Sequence, residues 1–305
     1  MIYVTTRQKI KEKQITWLDL IEDKDIPLSD FASKGSAGTV TRVLKEATPE
    51  LLAKINVPEM INTLKRFNEF HKDLFERDRR KMYRRFYEPK STGGLRPIDA
   101  PCPELKLALS ELAFILQDKF GVLHHTAAFA YITNRCPVQL VRKHQVNESN
   151  WFYKTDVSGF FPSTTLDFTM KMVKMIFPLS EICKTEEGYN ELKHALSLGF
   201  LNGVLPQGSP ASPALSNIVS IPIDHRIFND LAHKRFVYTR YADDIHISCK
   251  QKFDPEKMTA YIRKVFKEFG APWILKPEKT HYGSRKGKNH ILGVVLNAEN
   301  NITVG

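Results

Sequence analysis

Cysteine is scarce and scattered in this chain of 305 residues. The four present, Cys102, Cys136, Cys183 and Cys249, form neither a zinc-ligand spacing nor a disulfide framework. That excludes a stapled secreted scaffold and suits a reducing, cytoplasmic setting. No apolar run approaches the ~18 residues of a membrane span, and Met1–Ile10 lacks the apolar core of a signal peptide. The ten histidines show no paired spacing of a metal site, and internal repeats and low-complexity tracts are missing. Acidic residues are outnumbered: 45 Lys+Arg against 34 Asp+Glu leave a net charge of +11, which suits a polyanionic partner.

What is present begins with two adjacent aspartates, Asp243 and Asp244, in the run Tyr238 to Ser248. Ile245 and Ile247 alternate with His246 and Ser248, the period of a half-buried strand, so the run reads as strand, abrupt turn, strand. Paired carboxylates at such a turn repel each other and lose solvation, so a cation must offset them. Hard oxygen ligands without a Cys or His pattern favour Mg²⁺, with Mn²⁺ as a substitute. A solvated Asp-Asp turn is the bland alternative for the pair taken alone.

Upstream, Trp151–Pro162 reads as an apolar strand ending at Asp156 before a Ser-Gly turn. Asp156 alone could be a turn former. Facing the hairpin tip, it would complete a three-carboxylate site able to hold two Mg²⁺ ions for phosphoryl transfer. Between these elements lies Gly203–Asn217, where Pro206, Gly208, Pro210 and Pro213 fix an irregular loop. Gln207 is held where backbone is crowded, and an apolar helix start is read from Ala214 to Asp224.

In this order and spacing the three elements closely resemble the reverse transcriptase family. The carriers are Asp156 with Phe161 five residues on, Leu205–Pro213 as Leu-Pro-Gln-Gly-x-x-x-Ser-Pro, and Tyr241–Asp244 as Tyr-x-Asp-Asp. Each alone is weakly specific; the resemblance runs over residues 80 to 300. It implies an RNA-directed DNA polymerase with catalytic Asp156, Asp243 and Asp244, the Val157 backbone joining them as a metal ligand. Phe161 would lie beneath the nucleotide sugar and exclude a 2′-hydroxyl. Lys90–Arg96 resembles the fingers hairpin, whose Lys90 and Arg96 would bind the incoming triphosphate. A Gly-Gly turn between basic residues suits closure over phosphates, although a solvated hairpin has the same composition. Gln207 would contact the nucleotide, and Lys279, with Lys276 as rival, would lie near the leaving pyrophosphate. His290–Asn297 resembles the primer-grip hairpin, with Leu292 and Gly293 at its tip. The implied partners are an RNA template, a DNA or RNA primer, deoxynucleoside triphosphates and a structured non-coding RNA.

The implied fold is α+β: right-hand fingers and palm, an antiparallel sheet and flanking helices, with the thumb absent or truncated. The expected division is an N-terminal extension over 1–48, broken at Ser33–Gly38, fingers over 49–150 with a basic hairpin at 88–98, and palm over 151–305. Glu104–Phe120 is the clearest predicted helix, with Leu105, Leu109, Leu112, Leu116 and Phe120 as its core stripe; Asp254–Phe269 is another. Arg79, Arg80, Arg84 and Arg85, interleaved with Tyr83, Phe86 and Tyr87, could track a nucleic-acid backbone or form the cationic face of a helix. His124-His125 either packs or faces solvent. Within the family the order of the Gln-Gly loop departs from the diversity-generating retroelement pattern. Compactness favours retron-like or defence-associated enzymes over intron proteins, but Leu292-Gly-Val stands where a retron Val-Thr-Gly is expected. The rival readings are an RNA-templated RNA polymerase and a catalytically silent RNA-binding palm.

Overall fold

The computed structural model describes residues 55–90, 93–287 and 290–304, so the expected extension over 1–48 and the break at Ser33–Gly38 lie outside the described residues. The first helix, α1 (Val57–Phe70), is capped by the Asn56 side chain accepting from the Glu59 N–H, with Pro58 in its first turn. Met60, Ile61, Leu64 and Phe67 form its buried face at helical spacing. A hairpin follows, β1 (Tyr83–Pro89) with β2 (Leu95–Pro101), in the register Tyr83↔Pro101 to Pro89↔Leu95. Beyond Tyr83, β1 is exposed along its length, so the basic hairpin projects from the body.

Helix α2 (Pro103–Phe114) buries Leu105, Leu109 and Leu112 completely, and a π-helical turn over Ile115–Lys119 continues it. The predicted 104–120 helix is therefore one apolar stripe on two helical geometries. After α3 (Pro137–Val146) comes the central strand β3 (Trp151–Ser158), two residues longer than expected because it gains partners on both sides. Helices α4 (Leu166–Val173) and α5 (Glu186–Ser197) lead to α6 (Ala211–Ala232), which is buried on nearly every face and starts three residues earlier than predicted. Pro210 and Pro213 sit at its cap and first turn, where a missing N–H costs no helical bond.

The remaining elements build the sheet. Strands β4 (Val237–Tyr241) and β5 (Asp244–Cys249) form a hairpin, and α7 (Pro255–Phe269) begins at an Asp254 cap and ends at Gly270. Strands β6 (Ile274–Leu275) and β7 (His281–Ser284) return to β3, giving an antiparallel sheet β4-β5-β3-β6 with β7 also on β3. A smaller sheet of β8 (His290–Ile291), β9 (Val294–Leu296) and β10 (Ile302–Val304) closes the described chain. It packs on α3 through Ile291, Leu296, Leu140 and Val141, with Phe129 and Phe152 in the same cluster. The expected α+β fingers-and-palm architecture is present, with helices against antiparallel sheets. Among the described residues no helix is long and apolar enough to cross a membrane.

Candidate active site

The catalytic candidates stand on the two central strands. Asp156 and Asp244 are register partners in the β3–β5 ladder. The next pair out is hydrogen-bonded, the Val157 N–H donating to the Asp243 carbonyl at 3.0 Å. Asp156↔Asp244 is therefore a non-hydrogen-bonded pair, the kind in which opposed Cα atoms are about 4.5 Å apart and side chains come closest. Asp243 sits in the two-residue β4–β5 turn after Ala242, whose φ of 54° makes that turn sharp. The pleat also turns the Val157 carbonyl to the Asp243 side, because the neighbouring Asp156 carbonyl accepts from the Lys276 N–H on the other flank at 2.9 Å.

Charge crowding follows from that geometry. Burial first, then the charges of Asp156 and Asp244, push the Asp243 carboxyl up to about 6. Asp244 is raised by burial and by Asp156, against the opposing pull of Lys154, whose Nζ lies 3.5 Å from its Oδ1. Asp156 has two ammonium partners, Lys276 Nζ at 2.8 Å from Oδ1 and Lys279 Nζ at 2.9 Å from Oδ2. Lys279 donates a hydrogen bond. Lys276 is close but misaligned, so the buried Oδ1 accepts no hydrogen bond from it. Among the described residues no three His, Cys, Asp or Glu side chains already form a metal cage, and lysines pair with Asp156 and Asp244. The donor set nevertheless fits a hard divalent ion: oxygen ligands, an unsatisfied buried carboxylate oxygen and an anion held above its ordinary pKa.

Tyr131, whose hydroxyl is pushed up by burial and by the charge of Asp243, lines a cavity of about 280 Å³ together with Arg96, Phe161 and Gln207 among others. Three sequence-predicted residues thus meet on one wall. The adjacent aromatics divide their work: Phe160 is buried against Trp273, whereas Phe161 reaches the cavity, its ring 6.3 Å from Tyr131. The cavity floor needs Gly208. Its φ is 114°, and a Cβ would lie 2.7 Å from the Asp99 carbonyl, while the Asp99 N–H donates to the Gln207 carbonyl at 2.7 Å. Lys90 is exposed at the hairpin end, where its N–H donates to the Gly94 carbonyl at 3.0 Å, and does not line the cavity. Leu292 and Gly293, with φ of 55° and 79°, form a two-residue turn between β8 and β9. Leu292 and Tyr241 both pack against the cluster that contains Phe129, Phe152 and Ile291.

The arginines part company. The run forms a 3₁₀ turn over Arg79–Met82 and then β1, so a single cationic helix is excluded. Arg79 donates to the Leu198 carbonyl at 3.5 Å, Arg80 to Asn202 at 3.1 Å, and Arg85 forks onto Asp99 at 2.7 and 3.0 Å. Arg84 lies over the Phe86 ring and is exposed. His125 is buried and His124 half-buried, so His125 is a packing residue. Sequence reasoning missed Lys154 and Tyr131. Lys154 was visible as the residue two before Asp156 on a strand, hence on the same face. Tyr131, at a φ of 60° in a loop, carried no local signal.

Retron Ec83 reverse transcriptase of Escherichia coli is 28% identical over 235 residues, 73% of this chain and 71% of that protein. Retron Mx162 reverse transcriptase of Myxococcus xanthus is 26% identical, over 76% of this chain and 50% of its own length. The chain thus spans between half and about seven-tenths of these relatives. Among solved structures, telomerase from Candida albicans, in complex with a fragment of telomeric RNA, shares the fold. Its TM-score is 0.51 at 10% identity, covering 73% of this chain and 46% of that one. The family model described as reverse transcriptase (RNA-dependent DNA polymerase) matches residues 88–296. The chain belongs to the reverse transcriptase family and is by class a nucleotidyltransferase.

Proposed function

We propose that this chain is an RNA-directed DNA polymerase that adds deoxynucleotides to a primer 3′-hydroxyl in the retron manner, at Asp156, Asp243 and Asp244. The observation that carries the reading is the pairing of Asp156 with Asp244 beside the Asp243 turn, next to a cavity walled by Arg96, Phe161 and Gln207. The three carboxylates and the Val157 carbonyl would hold two Mg²⁺ ions. When bound, these lower the pKa of the attacking hydroxyl and neutralise the leaving pyrophosphate.

The chain's own groups do the rest. Phe161 presents a ring where a ribose 2′-hydroxyl would project, selecting deoxynucleotides by shape. Arg96 offers a guanidinium fork to the triphosphate, and Lys90 a second cation once the hairpin folds down. Lys279 and Lys276, which pair with Asp156, would offer their ammonium groups to the departing pyrophosphate as it gains charge. The Leu292-Gly293 turn supports the primer strand, bringing its 3′ end to Asp243. An RNA template, a DNA or RNA primer and a structured non-coding RNA are the partners this scheme needs, in the cytoplasm.

Run-off extension on an RNA template, with either deoxynucleotides or ribonucleotides supplied, tests the reading. Template-length DNA with deoxynucleotides and little product with ribonucleotides is expected. Preferential ribonucleotide polymerisation would make the chain an RNA polymerase, and no product with either would leave only the scaffold.

A further inference from the structure

Three residues before Asp243, Arg240 is 3% exposed and faces Asp224 of α6, itself 1% exposed. Each of its three guanidinium nitrogens is engaged. Nε donates to Asp224 Oδ1 at 2.9 Å and Oδ2 at 3.1 Å, and Nη2 donates to Oδ2 at 2.7 Å and to Asn217 Oδ1 at 3.3 Å. Nη1 donates to the Ala242 carbonyl at 3.0 Å. Tyr238 adds a 2.6 Å hydrogen bond to Asp224. A buried ion pair is weak as a source of stability, because desolvation offsets most of the attraction. What this one does is directional. It grips the carbonyl of an alanine held at φ 54°, a left-handed conformation that alanine resists, in the residue just before the two aspartates.

The same network reaches the nucleotide cavity. Asn217 Nδ2 donates to the Ala130 carbonyl at 2.8 Å, and the backbone of Arg240 bonds Ala127 and Phe129 at 2.7 and 2.9 Å. Tyr131, next in sequence, turns at φ 60° into the cavity wall beside Phe161. One buried constellation therefore fixes the catalytic turn and a wall of the nucleotide site together.

We propose that Arg240, anchored by Asp224, is a positioning residue that holds the Ala242–Asp244 turn, and through Asn217 the Tyr131 wall, in the geometry needed for nucleotide addition. This rests on the polymerase reading of Asp243 and Asp244. A lysine at 240 keeps the charge but cannot reach Asp224, Asn217 and the Ala242 carbonyl at once. A paired Asp224→Asn, Arg240→Gln change removes both buried charges while keeping a hydrogen-bonding side chain at each position, the glutamine shorter than the arginine it replaces.

The test compares thermal midpoint with kcat and KM for single-nucleotide incorporation, well below each midpoint, in the wild-type chain, Asp224→Asn, R240K and the double variant. The double variant is expected to regain most of the midpoint that Asp224→Asn alone loses. Its kcat is expected to stay about 10- to 100-fold below wild type, the scale of a misplaced catalytic group. R240K, which keeps the charge balance should the double variant not fold, is expected to show the same fall in kcat. Recovery of kcat in step with the midpoint, or wild-type kcat in R240K, would reduce Arg240 to a structural residue and overturn the proposal. An inactive wild-type chain would remove the polymerase reading itself and the clamp with it, an outcome distinguishable from clamp failure because no reference rate would exist.

Discussion

Asp156 and Asp244 face each other across the β3–β5 ladder as a non-hydrogen-bonded pair, so two anions lie on one face at the closest spacing a sheet allows. Asp243 joins them from the adjoining turn and is held as a reluctant anion. Three lysines answer this crowding, Lys154 at Asp244 and Lys276 with Lys279 at Asp156.

A stability prediction follows for the metal-free protein. Asp243 has a folded pKa of about 6 against an ordinary 3.8, so between those values the folded state binds more protons than the unfolded one. Stability therefore falls as pH rises through this window, and the full cost persists at neutral pH. In EDTA, Asp243→Asn should raise the thermal midpoint at pH 7.5 and leave it unchanged below pH ~3, where the wild-type carboxyl is protonated in both states. A lower midpoint for the variant at pH 7.5 would mean that the carboxylate is satisfied as it stands.

Buried histidines set the acid side. Burial holds His125 and His144 down to about 3, and His124 and His225 to about 4. These groups stay neutral when folded but protonate once unfolded below about 6.5, so stability is present above that value and lost as pH falls beneath it. Each contributes about 1.4 kcal/mol per pH unit in that range. Denaturant midpoints measured from pH 7 to pH 5 should drop steeply, and substituting His144 by Gln should flatten the slope. An identical slope would show that His144 titrates normally.

Sugar selection should reside in Phe161 and not in Phe160. Phe161→Ala should raise ribonucleotide incorporation relative to deoxyribonucleotide with modest loss of kcat, whereas Phe160→Ala should cost stability, about 3–5 kcal/mol for a buried aromatic. Competition assays with paired nucleotides read the ratio. No change on opening position 161 would transfer the role to another wall residue, Tyr131 first.

The arginines of β1 separate by partner. Arg84 has an exposed guanidinium, so Arg84→Ala should weaken nucleic-acid binding and lower the log–log salt slope by about 1. Arg85 is forked onto Asp99, so Arg85→Ala should loosen the hairpin and leave the salt slope nearly as it was. Equal slopes for wild type and Arg84→Ala would place the phosphate contact elsewhere.

Much of this site was legible because its signals are local. Asp156 and the Asp-Asp turn each combine a strand pattern with turn chemistry inside about ten residues, and the Gln-Gly loop is marked by its Pro and Gly spacing before a helix. The start of α6 was misplaced because Pro213 resembles a breaker, although a proline in a first helical turn removes no helical bond. The Arg240–Asp224 pair spans 16 positions and Asn217–Ala130 spans 87, so neither has a periodic signature. The commitment of Arg85 was equally hidden, since Asp99 meets it only through hairpin register.

Single-turnover incorporation of one deoxynucleotide on an RNA template with Mg²⁺, comparing the wild-type chain with Asp156→Asn, Asp243→Asn and Asp244→Asn, tests the central claim most directly. The account predicts incorporation by the wild type and its loss in all three folded variants, by about 10³-fold or more, as removal of a group acting in the transition state requires. Near wild-type incorporation by any folded variant would contradict it.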